Sequence, residues 1–362
     1  VNWSRVFSTA GIWDMEIKPG SSPTTLYAAS RNRIYKSTDG GSNWSTLGGG
    51  LPTSGIERIA LAVTPDNSNN VYAVYARNTD DGLKGVYFST NSGSNWTEIA
   101  DSSPNFLGWN ADGSDSGGQG WYDLCIAVPP NDENTIYIGG INTWKMTYSG
   151  GTWSNALETM WYYNGSVYEV HADQHDFWFA ANGVMWVGND GGVYKRQTNG
   201  VWSWIGSGIH ITQFYRLGTS YTDNDRIIAG SQDNGTKYTN NTNWYDEIGG
   251  DGMECIIDYN NADIMYGELY YGTILRTTNG GSSWSYKYPS TSEYAGWVTP
   301  YVMHPANSSI LFAGYENVWK TTNKGDSWSR ISSWGNSPLS VLHVSESNPD
   351  YIYASNGYSV FK

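Results

Sequence analysis

Four short stretches place groups that can move protons or grip hydroxyls beside tight turns. They are His171-Ala-Asp-Gln-His175, Gly188-Asn-Asp-Gly-Gly-Val193, Gly230-Ser-Gln-Asp-Asn-Gly235 and Gly249-Gly-Asp-Gly252. Between them they supply Asp173, Asp190, Asp233 and Asp251, two imidazoles and Gln232, with Gln213, Glu254 and Glu268 close by in sequence. Two carboxyl groups, one held protonated, can hydrolyse a glycosidic bond, and their separation sets the stereochemistry. Asp190 and Asp251 are the first candidates for such a pair, and Asp233 is next. His171, Asp173 and His175 could instead ligate a divalent metal. Their spacing of four suits a helix, whereas on a loop leading into a strand alternate residues share a side. No cofactor is therefore expected. The competing structural reading is that these Asp and Asn side chains cap Gly-rich turns.

The elements that carry these groups follow from a repeat. Ser37-Thr-Asp-Gly-Gly-Ser-Asn-Trp44, Ser89-Thr-Asn-Ser-Gly-Ser-Asn-Trp96, Thr277-Thr-Asn-Gly-Gly-Ser-Ser-Trp284 and Thr321-Thr-Asn-Lys-Gly-Asp-Ser-Trp328 share one pattern. Weaker copies end at Trp153, Trp202 and Trp244, and Trp3 stands at the head of a similar strand. In each turn Asp or Asn can accept backbone N–H groups, Gly accepts positive φ, and Trp opens the next strand. Upstream of each turn lie three short alternating runs, so each unit reads as four antiparallel strands. First strands are predicted near Trp13, Ile59, Asp123, Asp173, Phe214, Glu254, Val298 and Leu339. Their spacing, roughly 40 to 45 residues, is that of a propeller blade.

The expected fold is all-β, a single β-propeller domain over residues 1–362 with eight four-stranded blades. The last unit lacks a fourth strand, and Val1–Val6 is a strand lacking a unit, so the N-terminal strand is expected to close the last blade. Seven blades plus an extra hairpin is the alternative. Propeller topology puts the repeated turns on one face. The connections into first strands, and the turns between second and third strands, fall on the other. His171, Asp173, His175, His210, Gln213, Asp251 and Glu254 are assigned to the former positions, and Asp190, Gln232, Asp233 and Glu268 to the latter. The same face should carry Trp109 and Trp121 on the long Asp101–Gly120 connection and its end, and Trp297 after Tyr288–Gly296. Indole rings there suit stacking on sugar C–H faces.

Composition narrows the partners. The formal charge is −14, so phosphate backbones would be repelled and no nucleic-acid partner is expected. Neutral glycans, bound by hydrogen bonds and stacking, suit an acidic chain with 19 Trp and 28 Tyr. Cys125 and Cys255 sit in apolar runs and read as buried thiols rather than a disulfide framework. No apolar run reaches the roughly 18 residues that would suggest a membrane-spanning helix. The chain begins at Val1 and reads as an excised segment of a larger exported protein, with other domains of that parent among its expected partners.

The repeated turn resembles the Asp-box, or bacterial neuraminidase repeat, of sialidases, the sortilin ectodomain, xyloglucan-degrading endoglucanases and a photosystem II assembly factor. The wider sequence resembles secreted Bacteroidetes-type propellers labelled glycosyl hydrolase, on the four polar stretches quoted above. Gly188-Asn-Asp-Gly-Gly-Val-Tyr194 is similar to the Asp-Val-Gly-Gly turn that bears one catalytic carboxylate in the xyloglucanases, where the partner carboxylate comes from another domain. The arginine triad of sialidases is not evident; Arg33, Arg58 and Arg216 are the arginines that could face the channel. The resemblance implies an extracellular or cell-surface location. It also implies a site away from the Asp-box turns, engaging either a glycan, with or without hydrolysis, or a surface protein that uses the propeller as a scaffold.

Overall fold

A computed structural model describes residues 4–9, 11–209, 212–240, 243–335 and 337–362. The described residues are all β, without a helix, in sheets that, one parallel edge strand apart, are antiparallel meanders, the repeating unit of a β-propeller. None of them forms a helix long and apolar enough to cross a membrane. The chain divides into two compact units, Val1–His210 and Ile211–Lys362.

Four sheets make up the first unit. Their first strands are Ile12–Ile17, Ile56–Val63, Cys125–Ala127 and Gln174–Phe179. Alternation explains how the sheets stack. In Val71–Arg77, the second strand of sheet two, Val71, Ala73 and Tyr75 pack toward sheet one, while Tyr72, Val74 and Ala76 pack toward sheet three. Successive side chains of a strand point to opposite faces, so a strand sandwiched between sheets must be apolar throughout. The cores of this unit therefore lie between consecutive sheets. Sheet three departs from the expected four strands: Tyr168–Glu169 adds a fifth, parallel to Thr152–Met160.

The second unit repeats the plan with first strands Phe214–Thr219, Gly252–Asp258, Tyr301–Met303 and Val341–Val344, again with cores between neighbouring sheets. Its last sheet has three strands among the described residues. Part of the strand expected to complete it, Val1–Trp3, lies outside the described residues, as does His210, and Ser4–Val6 is not in strand conformation. Phe7 instead stacks on Trp44 of sheet one, centroid to centroid 5.4 Å.

The repeated turns share one hydrogen-bond pattern. In the first, Ser37 Oγ accepts the Gly41 N–H at 2.9 Å, and Asp39 Oδ1 accepts the Asn43 N–H at 2.9 Å. Thr277 and Asn279, and Thr321 and Asn323, do the same in their copies. The donating glycines, Gly41, Gly93, Gly281 and Gly325, all have φ between 82° and 96°, which a side chain would strain. These turns join third to fourth strands, as the repeat predicts.

Candidate functional site

In the first unit the first strands of all four sheets border one cavity of about 370 Å³. Its polar and aromatic lining includes Trp13, Asp14, Glu16, Arg58, His175 and Asp176. Asp14 accepts the Leu61 N–H at 2.6 Å, tying the first strand of sheet one to the first strand of sheet two. Burial pushes the Glu16 carboxyl up to about 8, and the neighbouring Asp14 and Asp176 add to the effect. Asp14 and Asp176 are themselves raised, chiefly by burial. Arg58 is the one Lys or Arg lining the cavity. Its guanidinium donates to the Tyr122 carbonyl at 2.5 Å and lies 5.6 Å from the Trp13 ring centroid. Sequence reasoning centred on turns missed Asp14, Glu16 and Asp176, which lie in strands. The available signal was the alternation Trp13-Asp-Met-Glu-Ile17, which puts two carboxyls on one face of a first strand.

His175 links this cavity to the expected turn carboxylate. Asp190 lies in the tight turn between Met185–Asn189 and Gly192–Arg196. His175 Nε2–H donates to Asp190 Oδ1 and the Tyr122 hydroxyl donates to Asp190 Oδ2, both at 2.7 Å. The Tyr122 ring meets His175 edge-on at 4.8 Å. The hydrogen bond to Asp190 raises the His175 pKa, against the opposing effect of burial.

Asp173 sits immediately before Gln174–Phe179 with φ of 65°. Its Oδ1 accepts from Gln119 Nε2 at 3.1 Å. It faces Asp123, which is fully buried and shares a hydrogen bond with it. Burial first, and Asp173 second, push the Asp123 carboxyl well above the usual carboxylate range. Burial also raises Asp173. His171 turns elsewhere: its Nδ1–H donates to the Ala172 carbonyl at 3.2 Å, and its ring covers Gly191, where a Cβ would lie 2.3 Å from it. Among the described residues, His171, Asp173 and His175 do not bring ligand atoms together as a metal set.

Trp109 and Trp121 are both half-exposed, and Trp121 leans on Tyr122 at 5.4 Å. The long loop that carries Trp109 is organised by buried Asn105, whose amide donates to the Asp115 and Gly117 carbonyls and whose oxygen accepts the Leu83 N–H. Phe106 and Leu107 of this loop are fully buried in the core between sheets two and three.

In the second unit two of the predicted carboxyls, Asp251 and Glu268, accept backbone N–H groups. Asp251 Oδ1 accepts the Asp233 N–H at 3.0 Å, pinning the turn in which Asp233 adopts φ of 56°. Gln232 lies in that turn, its N–H donating to the Gln213 carbonyl at 2.9 Å. Glu254 pairs with Arg216 at 3.2 Å; burial raises its pKa and Arg216 opposes the rise. Glu268 differs from expectation. It belongs to the strand Asn261–Leu269 rather than a turn, and is fully buried. Its carboxyl accepts the N–H groups of Gly272 and Thr299 at 3.0 Å and of Glu254 at 3.2 Å. It is a scaffold for three connections, and burial pushes it up to about 8. Trp297 is half-exposed, stacks on Tyr270 at 5.0 Å with an interplanar angle of 3°, and meets Tyr271 edge-on at 5.2 Å.

No family model matches the chain. Among curated proteins it is similar to Xyloglucanase Xgh74A of Acetivibrio thermocellus, 24% identical over 321 residues, covering 80% of this chain and 34% of the enzyme. The chain thus spans about a third of the length of the curated relatives it matches. Among solved structures it is similar to the Niastella koreensis GH74 enzyme, 16% identical with a TM-score of 0.38, over 97% of this chain and 65% of the other. It is also similar to PorZ, a surface component of the type-IX secretion system of Porphyromonas gingivalis, at 11% identity and a TM-score of 0.46, over 97% of this chain and 46% of that one. The proteins this chain is similar to thus include a xyloglucanase and a bacterial surface component.

Proposed function

We propose that this chain is a secreted, carbohydrate-engaging β-propeller, one domain over residues 1–362. In this reading it has eight blades. It engages a glycan on the face of the connections into first strands, opposite the repeated turns. One observation carries the reading: Asp190 is held by two donors at 2.7 Å, His175 and Tyr122, beside the half-exposed indole of Trp121. A fixed carboxylate accepts sugar hydroxyls, and an indole stacks on the apolar face of a pyranose. The stacked Trp297 and Tyr270 offer a comparable surface in the second unit. In its enzymatic form this reading makes Asp190 the catalytic carboxylate.

A second reading, a protein-binding scaffold without catalysis, is favoured by Asp251 and Glu268, whose carboxyls are engaged by backbone N–H groups. A glycan array and a polysaccharide-hydrolysis screen on wild type, Asp190→Ala and Trp121→Ala distinguish the two. Glycan retention that both variants lose supports the first reading. Neither binding nor turnover on any glycan overturns it, and the scaffold reading then stands.

A further inference from the structure

We infer that Asp123 and Asp173 form a proton-held latch, which fixes the turn bearing Trp121 and Tyr122 against sheet four and opens as pH rises. Asp123 is fully buried and shares a hydrogen bond with Asp173. Two carboxylates offer only acceptors, so that bond exists only while one of the two carries a proton. Asp123 is the holder: its hydroxyl donates to Asp173, the more exposed of the two. Once the proton leaves, two negative charges face each other away from water, and the bond becomes a repulsion.

The latch sits at the end of the long loop. The N–H groups of Gly118 and Gly120 donate to the Asp80 and Asp81 carbonyls at 2.9 Å, tying the chain to a turn of sheet two. The N–H groups of Tyr122 and Asp123 then donate to the Gln119 carbonyl at 2.7 and 3.0 Å, so residues 119–123 make one turn. Three side-chain ties join that turn to residues of sheet four and its connections: Gln119 to Asp173 at 3.1 Å, Tyr122 to Asp190 at 2.7 Å, and Asp123 to Asp173. The third is the one that a carboxyl proton sustains. Its opening frees the turn that sets Tyr122 on Asp190, so the proton controls the geometry of the candidate site. Arg58, from the first strand of sheet two, favours the Asp123 carboxylate, but burial outweighs it. His171 and His175 favour the Asp173 carboxylate and Asp190 disfavours it. Cys125, buried close by, is pushed up and stays a neutral thiol. Both carboxyls of the pair are raised on folding from the ordinary 3.8. The latch's stabilisation is therefore full below that value and is lost as pH rises through the values of the folded pair. It does not depend on the glycan reading.

The test uses the full chain and follows amide hydrogen exchange by mass spectrometry from about pH 5 to about pH 9, corrected for the intrinsic pH dependence of exchange. Peptides covering residues 119–123 and 171–174 are expected to lose protection as pH rises, by up to about tenfold per pH unit once the proton leaves. Phe106 and Leu107 lie in the same loop but are organised by the Asn105 amide, and are expected to keep theirs. Asp123→Asn puts an amide N–H where wild type has the acid O–H, so it should hold the latch shut and keep both peptides protected at the alkaline end. Its infrared difference spectrum against wild type at neutral pH should show the loss of one protonated-carboxyl stretch. Constant protection of residues 119–123 and 171–174 in wild type overturns the inference. A loss that Phe106 and Leu107 share overturns it too, since that is general loosening. So does a parallel loss in wild type and Asp123→Asn. The first two outcomes are read on wild type alone and stand whether or not the variant folds.

Discussion

Replacing Glu16 with Gln should flatten a specific part of the protein's pH–stability curve. Glu16 ionises in the unfolded chain near its ordinary 4.5, but in the folded protein burial and the adjacent Asp14 and Asp176 hold it to about 8. Between those values the folded state binds a proton that the unfolded state has released, so stability falls as pH rises. The contribution is fully present below about pH 4.5 and is lost as pH climbs through about 8. The whole gap is worth at most about 5 kcal/mol. For a chain of this size that corresponds to a Tm change on the order of 10 °C. Gln keeps the shape of the neutral acid and cannot ionise. Wild type and Glu16→Gln should therefore melt together near pH 5 and diverge toward pH 9, with the variant the more stable. Asp14, Asp176, His175 and Arg58 also face the cavity, but they are present in both proteins and cancel to first order in the difference. Thermal melts followed by circular dichroism across that range measure it. Two curves separated by a constant offset would refute the assignment of a raised pKa to this cavity.

A further outcome follows from buried geometry. Glu268→Ala strips the partner from three backbone N–H groups and should cost about 3 kcal/mol or more, read as a lowered urea midpoint. An unchanged midpoint would mean that those connections are held by something else.

The positions of the strands were legible because their signals are local. First strands expected near Ile59, Phe214 and Glu254 lie at Ile56–Val63, Phe214–Thr219 and Gly252–Asp258. The repeated turn closes its hydrogen bonds within five residues, so its residue types suffice to specify it. The fifth strand of sheet three was not legible, because two residues in parallel pairing carry no hairpin turn to announce them. Asp190 was placed correctly in its turn because Gly-Asn-Asp-Gly-Gly encodes one. Glu268 was misplaced because its role is set by N–H groups of Gly272 and Thr299, and the latter lies 31 residues away.

The cavity carboxyls show where periodicity stops. Trp13-Asp-Met-Glu-Ile17 declares two faces, and hydrophobicity alone would bury Trp13, Met15 and Ile17. The structure has these three exposed and Asp14 and Glu16 half-buried. A period of two separates the faces of a strand but does not choose between them. The choice here is made by the neighbouring first strand, whose Leu61 N–H binds Asp14. That contact joins residues 47 apart in sequence, so the acid-lined face follows from how sheet one meets sheet two and not from the strand itself.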